Sequence, residues 1–284
     1  MSLAKAISME VDGLPLLLVG LGGFMSQSYT SLGEILDTLQ RARFYSSHIF
    51  SNNASSSAAF QYERPLQLVF QLSLDRLPEA ARRVIRVMAL LSPEEIPESL
   101  FTGKKSLASA ATTTNSGDPK LFANKVQQSL ASRHLTETQM TKIGVVYSMH
   151  RSVQTFILST LSINDGECQA AFDEAVEVIY NELPKPSPIM VPLFEQRDLF
   201  ATYIPHAISI HNIYACSEMQ IRPTVRFAEL ICSTSAYLYE HGMTWTKSNR
   251  RIVRGLNELG CDSRALDLMV YSLSLASSAI PEAC

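Results

Sequence analysis

The chain has 284 residues, of which 46% are apolar and 18% are charged. This composition excludes a disordered tail, a collagen-like repeat and a disulfide-stapled miniprotein. Because a single core is near its practical limit at this length, two or three consecutive units are expected. The formal net charge of −3 gives no overall attraction to nucleic acid or to anionic lipid.

The cysteines and the apolar runs indicate a cytoplasmic protein without a membrane segment. All five cysteines lie in the second half of the chain and none forms a C-x-x-C pair, which predicts buried free thiols in a reducing compartment. The longest apolar run, 14–25, is interrupted by glycines and is shorter than the roughly 20 residues that a membrane span needs. Glu10 and Asp12 stand where a signal peptide would be basic, which argues against secretion.

Residues 1–45 are predicted to form a subdomain of two or three short helices. Apolar residues repeat there at helical spacing. Thr30 or Ser31, together with Glu34, has the spacing of a capping box at a helix N-terminus. The polar stretch that follows has no period, so residues 46–64 are expected to be a linker.

The helical period returns at residue 65 and predicts a winged helix-turn-helix unit over 65–163. Pro78 suits the first turn of a helix, and Ser92-Pro93 stops that helix. A short helix is expected around 94–101. It precedes an insert over 102–119 that is rich in Ser, Ala and Thr and is expected to be mobile.

The period changes from that of a helix to that of a strand near residues 134–148. His134 to Thr138 can pair with 145–147 across a short turn, which predicts a small β-hairpin containing the only strands of the chain. The helical pattern resumes at His150 and supplies the closing helix of the unit.

Residues 165–284 are almost entirely helical by pattern, so the predicted fold class is mainly α and ends in antiparallel, tetratricopeptide-like helical pairs. Phe227 and Leu230 are expected to face a helical core. His206 follows Pro205 and is expected at the start of a helix. Its spacing of five residues from His211 does not place the two rings on one helical face.

Three separated features then coincide: Gly13-Leu14-Pro15-Leu16 between two short helices, Met149-His150-Arg151 where the hairpin meets the closing helix, and a helical array after them. In this order they resemble the C-terminal part of the NB-ARC module of STAND ATPases, the switch proteins of apoptosis and of plant or fungal immunity. The similarity is strongest to fungal members with tetratricopeptide-like repeats. Their second motif often reads H-R-x-V-Q, as residues 150–154 do here.

The resemblance implies that both motifs lie at the edge of a bound nucleotide. The turn of residues 13–16 would pack against the adenine end of ADP, and His150 would donate a ring N–H towards the β-phosphate. Arg151 stands where plant and animal relatives have an aspartate, so the contact of that aspartate is not expected. Simpler local interpretations exist, because Pro15 separates two helices and a lone histidine is more often a surface or core residue than a ligand.

The sequence lacks the motifs of nucleotide hydrolysis. A STAND ATPase needs the phosphate loop G-x-x-x-x-G-K-[ST] and an acidic residue after an apolar strand, and neither occurs. Gly20, Gly22 and Gly23 resemble a dinucleotide fingerprint only superficially, because Met25 replaces the third small residue. We therefore predict a chain that is not an enzyme and has no cofactor or metal of its own. ADP or ATP would bind only if the nucleotide-binding half were supplied.

Two classes of function follow. The first is a non-catalytic regulatory and protein-interaction fragment of a STAND-type nucleotide switch, acting in immunity or incompatibility signalling. Its protein partner would bind the C-terminal helices, where the last apolar stripe is expected to stay partly exposed. That stripe contains Leu266, Met269, Val270 and Leu273.

The alternative is a winged-helix protein that binds nucleic acid. Residues 120–151 carry five basic side chains, Lys120, Lys125, Arg133, Lys142 and Arg151, against the single acidic residue Glu137. A solvated face, or one that docks on an acidic neighbour, explains the same charges. The candidate recognition helix also lacks a cluster of base-reading side chains, so nucleic acid is the less favoured partner.

Overall fold

The computed structural model describes residues 2–11, 13–28, 30–50, 67, 69–102, 119–183, 197–216 and 219–240. The protein is mainly helical, as the sequence predicted, and contains one small antiparallel sheet. Most of the predicted insert, part of the predicted linker and the stripe of Leu266, Met269, Val270 and Leu273 lie outside the described residues. In the part of the chain that is described, no helix is both long and apolar enough to cross a membrane.

Three helices form the N-terminal subdomain: α1 (Leu3–Glu10), α2 (Pro15–Ser28) and α3 (Leu32–Phe50). The predicted capping box is present, since the Ser31 hydroxyl accepts the backbone N–H of Glu34 at 3.3 Å and the Glu34 carboxylate accepts that of Ser31 at 2.8 Å. The backbone N–H of Ser31, and then its hydroxyl, which donates to the same carboxylate at 3.0 Å, lower the pKa of Glu34. Their core consists of eight buried residues, seven from this part of the chain and one from further along: Ile7, Val11, Leu17, Leu21, Phe24, Ile35, Leu39 and Val69.

Helix α3 is longer than the sequence suggested. It continues to Phe50, so the first five residues of the predicted linker, 46–50, are helical. Those five residues include neither proline nor glycine. Because each residue added to an existing helix gains a backbone hydrogen bond, polar side chains alone do not end it.

The central part of the chain alternates helices and short strands. The helical segment α4 covers residues 69–75. It is followed by α5 (Glu79–Leu90), β1 (Ile96–Pro97), α6 (Ser99–Thr102), α7 (Pro119–Ala131), β2 (Glu137–Thr141), β3 (Gly144–Ser148) and α8 (Arg151–Leu161). The hairpin of β2 and β3 was predicted, although its first strand begins three residues after His134.

Strand β1 was not predicted. It pairs antiparallel with β3, with Ile96 opposite Tyr147, and gives a three-stranded sheet of order β1-β3-β2. The expectation that the hairpin contains the only strands was therefore wrong, and the helix expected around 94–101 is reduced to the short α6. Glu95 has a φ of 54°, which breaks any helix before β1, and Pro97 lacks the N–H that a continuing helix needs.

Three further helices follow, α9 (Asp165–Glu182), α10 (Arg197–Cys216) and α11 (Val225–Glu240). Helix α9 packs against both α5 and α11, so the central and C-terminal parts share one hydrophobic core that runs from Phe70 to Leu238. Phe227 and Leu230 are fully buried in this core, as predicted. In the described part of the chain, neither Cys168, which is buried, nor Cys232, which is half-buried, is in a disulfide.

The predicted position of His206 was wrong. Pro205 lies inside α10, eight residues after its first residue, and His206 is buried in the middle of that helix. Phe200, Tyr203 and Ile204, which precede the proline, are buried in the shared core. Their burial holds the first half of the helix in place, even though proline removes one backbone hydrogen bond.

Candidate functional site

The first predicted motif is the turn between α1 and α2. Gly13 has a φ of 67°, and its N–H donates to the Ser8 carbonyl at 2.8 Å, which ends α1. Pro15 is the first residue of α2, the position that proline favours, and Leu14 is half-buried against the N-terminal core. The side chain of Leu16 is outside the described part. The geometry of this motif is thus that of a helix–helix turn.

His150 caps the N-terminus of α8. Its ring nitrogen Nδ1 accepts the backbone N–H of Ser152 at 3.2 Å. An Nδ1 that accepts a hydrogen bond carries no proton, so the neutral ring holds its proton on Nε2. The side chain is exposed. With Nδ1 bonded to the Ser152 N–H, His150 has Nε2 left as a hydrogen-bond donor at the protein surface.

The rest of the second motif joins α8 to the end of α5. The side-chain amide of Gln154 donates to the carbonyls of Ala89 at 3.0 Å and Leu91 at 2.8 Å. Ala89 is in the last turn of α5 and Leu91 is its C-cap, so these carbonyls would otherwise lack a helical partner. Val153 is fully buried beside it. The N–H of Met149 donates to the Pro93 carbonyl at 2.8 Å. We call residues 149–154 the His150 corner.

Arg151, the fungal-type residue of the motif, lies at the surface. Its guanidinium is 3.4 Å from the carboxylate of Glu94, and both side chains are more than 70% exposed. An ion pair this exposed adds little stability. Within the described part of the chain, no hydrogen bond or ion pair joins the His150 corner to the turn of residues 13–16.

The N-terminal helices instead meet the central part at the turn after α7. A Cβ added to Gly23 would lie 2.8 Å from the Ser132 carbonyl oxygen and 3.1 Å from Cα of Arg133. The Arg76 guanidinium lies over the ring of Phe24 at 5.1 Å. The glycines that superficially resembled a dinucleotide fingerprint therefore lie inside helix α2, and at Gly23 the absence of a side chain permits close packing.

The predicted basic face is only partly available. The Arg133 guanidinium donates to the carbonyls of Ser129 at 3.0 Å and Arg76 at 3.1 Å, and burial followed by the charge of Arg76 lowers its pKa. Lys125 and Lys142 are exposed, whereas the side chain of Lys120 is outside the described part. Two of the five basic side chains, Arg133 and Arg151, thus already have protein partners.

The segment between α5 and α6 is a meeting point that no sequence pattern indicated. The Tyr147 hydroxyl donates to the Glu98 carboxylate at 3.0 Å, and burial together with that carboxylate raises the pKa of Tyr147 well above its usual value. The Tyr203 hydroxyl of α10 lies 3.2 Å from the hydroxyl of Ser99, the first residue of α6. No sequence pattern predicted these contacts, because each joins residues that are at least 49 positions apart.

The cavity between α5, α6 and α7 is too small for a ligand, and no metal cluster occurs among the described residues. An apolar cavity of about 10 Å³ lies between α5, α6 and α7, which is room for about one water. Among the same residues, no group of three or more His, Cys, Asp or Glu side chains is placed to hold a metal ion. The site is thus a surface corner that can offer hydrogen-bond donors.

Comparison with known protein families gives one match to this region. Residues 72–165 match a family described as a domain of unknown function, DUF7779. The match begins within α4, ends at the first residue of α9 and includes the sheet, α8 and the whole His150 corner. No curated protein matches the chain.

Proposed function

We propose that this chain is a non-catalytic regulatory module of a nucleotide switch of the NB-ARC type, acting in immunity or incompatibility signalling, and that His150 contacts a nucleotide held by another unit. The observation that supports this proposal is the exposed Nε2–H of His150, whose tautomer is set by the N-cap hydrogen bond to Ser152. The order of elements from α4 to α8, with a hairpin before the closing helix, supports a winged helix-turn-helix.

The chemistry of the corner suits a phosphate oxygen. A ring N–H that donates to an anionic oxygen makes a charge-assisted hydrogen bond, which is shorter and stronger than a neutral one. The ring also stands at the N-terminus of the 11-residue helix α8, where the helix dipole favours negative charge. Gln154 of the same turn of α8 is hydrogen-bonded to the end of α5. A displacement of His150 would therefore be transmitted to the shared core.

Nucleotide binding in this proposal needs a second unit. The turn of residues 13–16 adds the half-buried side chain of Leu14 and a proline ring, which suit the apolar edge of an adenine but cannot hold phosphates. We therefore propose ADP or ATP as a ligand of the assembled switch only. Nucleic acid stays the less favoured partner, since the Arg133 guanidinium already donates to two backbone carbonyls within the protein.

The first prediction concerns His150 and a nucleotide-binding domain supplied in trans. An NB-ARC-type nucleotide-binding domain loaded with ADP is titrated with the chain, and complex formation is followed by calorimetry. His150→Asp retains a good N-cap acceptor but replaces the N–H donor by a negative charge, so we expect at least tenfold weaker binding, or about 1.4 kcal/mol. His150→Asn retains both the cap and a donor and should bind within a few-fold of the natural chain.

Two results would contradict this proposal. One is equal binding by the Asn and Asp variants, because a contact through the N–H cannot tolerate the acidic residue. The other is micromolar binding or hydrolysis of ATP by the chain alone, abolished by Pro15→Ala or His150→Ala. Without a phosphate loop, the two motifs can supply only edge contacts.

The second prediction concerns the protein partner. The apolar stripe of Leu266, Met269, Val270 and Leu273, which is known here from sequence only, is expected to drive self-association or the capture of a partner helix. Light scattering should show a concentration-dependent mass for the natural chain and a constant monomer mass for the Leu266→Glu, Leu273→Glu variant. Monomers in both cases, with no helical partner bound by either, would remove the interaction part of the proposal.

A further inference from the structure

Strand β2 is the open edge of the three-stranded sheet. The order of strands is β1-β3-β2, and within the described part of the chain no strand pairs with the outer side of β2. Residues 137–140 are all exposed, and 78% of the Met140 surface is accessible. An edge strand offers a row of backbone N–H and C=O groups to another strand, so proteins normally protect such an edge.

The pairing of β3 determines which backbone groups of β2 face outward. The Val145 carbonyl accepts the N–H of the residue after β1 at 3.0 Å, so the backbone groups of Val145 point towards β1. Because neighbouring residues of a strand point to opposite sides, those of Val146 point towards β2 and bond to Gln139, which lies opposite. The N–H and C=O groups of Thr138 and Met140 therefore point away from the sheet.

The edge of β2 lacks the features that usually prevent further pairing. Its five residues include neither proline nor lysine, and their pairing with β3 runs without a bulge. The one charged residue of the strand, Glu137, is its first, and Lys142 directly follows its last. Gln127 of α7 also donates to the Thr138 hydroxyl at 3.2 Å, which holds the strand in place. The edge is thus both open and already formed.

The charges at the two ends of β2 favour a second copy of the same strand as its partner. In an antiparallel pair of copies, Glu137 of each lies within one residue of Lys142 of the other, whereas a parallel pair would bring like charges together. With Gln139 opposite Gln139, Thr138 of each copy lies opposite Met140 of the other, and both pairs can exchange their hydrogen bonds. One register therefore satisfies all the outward-facing groups of both strands.

We propose that β2 pairs antiparallel with β2 of a second copy of this chain, about a two-fold axis at Gln139, so that two sheets join into one. The interface is isologous, because the same strand supplies both sides. Five residues from each copy make a small interface, so the pairing is weak and transient and leaves dilute chains unpaired at this edge. The inference does not depend on the role of His150 or on the C-terminal stripe.

Covalent trapping tests both the pairing and its register. Opposite residues of a non-hydrogen-bonded antiparallel pair have Cα atoms about 4.5 Å apart, a distance that a disulfide can bridge. Gln139→Cys should therefore form a disulfide-linked dimer under mild oxidation. Mass spectrometry should find two peptides joined at position 139, which separates this product from disulfides of the natural cysteines.

Glu137→Cys is the matched control, because it is exposed on the same face of the same strand. In the proposed register the two copies of position 137 are roughly 13 Å apart along the strand, so the initial rate of dimer formation should be at least tenfold lower. Mixing Glu137→Cys with Thr141→Cys should restore trapping, since these two positions lie opposite each other. Equal rates for Gln139→Cys and Glu137→Cys, or no dimer joined at position 139, would overturn the proposal.

A second variant asks whether the backbone edge carries the pairing. Met140→Pro, added to Gln139→Cys, removes an outward N–H and spares the hydrogen bonds to β3, so trapping should fall at least tenfold. If circular dichroism shows that this variant does not fold, the charges decide. Glu137→Lys should slow trapping a few-fold, and Lys142→Glu added to it should restore the rate. Unchanged trapping in the folded Met140→Pro variant, or in Glu137→Lys, would contradict the proposed pairing.

Discussion

Lowering the pH from 7 to 5 is expected to reduce the free energy of unfolding by about 2 kcal/mol through His206 alone. Burial lowers the pKa of His206 from 6.5 to about 4, although its hydrogen bonds with Glu95 and Ser92 act in the opposite direction. Between those two pKa values the unfolded chain binds a proton that the folded chain does not. The stability contributed by the neutral ring is therefore complete above pH 6.5 and is lost as the pH falls towards 4.

His211 should add to this acid sensitivity, because burial lowers its pKa to about 4 as well. Urea unfolding at pH 7, 6 and 5 would measure the slope for the natural chain, His206→Gln, His211→Gln and the double variant. The free energy of unfolding should depend less on pH in each single variant than in the natural chain, and least in the double variant. Burial raises the pKa of Asp173, which favours the folded state at lower pH, so the comparison stays at pH 5 and above. An undiminished slope in the double variant would contradict the prediction.

Features with local causes were predictable from the sequence. The capping box of Ser31 and Glu34 needs residues only three positions apart, and the hairpin of β2 and β3 needs one short turn. The burial of Phe227 and Leu230 followed from their shared helical face. In each case the interaction that stabilises the element lies within a window of a few residues.

Features with distant causes were not predictable. Strand β1 has two residues and exists because Ile96 and Pro97 pair with a strand about 50 positions later. Pro205 is a strong local signal for a helix start, yet the buried side chains on both sides of it keep α10 continuous. Such outcomes depend on the packing of the whole core, which a local pattern does not contain.

The residues of the candidate site were selected from the sequence, whereas their geometry comes from the fold. Sequence reasoning selected His150 and the turn of residues 13–16, and the structure adds that the His150 Nδ1 is occupied by the Ser152 N–H. The support that Gln154 gives to the end of α5 and the burial of His206 near the backbone of Ser92 and Glu95 had no sequence signal. Both involve backbone carbonyls, whose positions follow only from the fold.

Two substitutions of adjacent glycines in α2, Gly22→Ala and Gly23→Ala, should have opposite effects on the free energy of unfolding. A Cβ on Gly22 meets nothing within 4 Å, so Gly22→Ala should stabilise the helix by up to about 1 kcal/mol. A Cβ on Gly23 would lie 2.8 Å from the Ser132 carbonyl oxygen, 2.9 Å from the His134 ring and 3.1 Å from Cα of Arg133. Two of these three atoms belong to the backbone and cannot rotate away.

Gly23→Ala should therefore force α2 away from the turn after α7, and overpacking of this kind typically costs about 1–3 kcal/mol. Because both variants gain the same helix propensity, the difference between their free energies of unfolding isolates the clash. Urea unfolding followed by circular dichroism should give Gly23→Ala a free energy of unfolding about 1–3 kcal/mol lower than that of Gly22→Ala. Equal stability of the two variants would show that α2 does not pack on this turn in solution. A large difference would identify close helix packing as the reason for glycine at position 23.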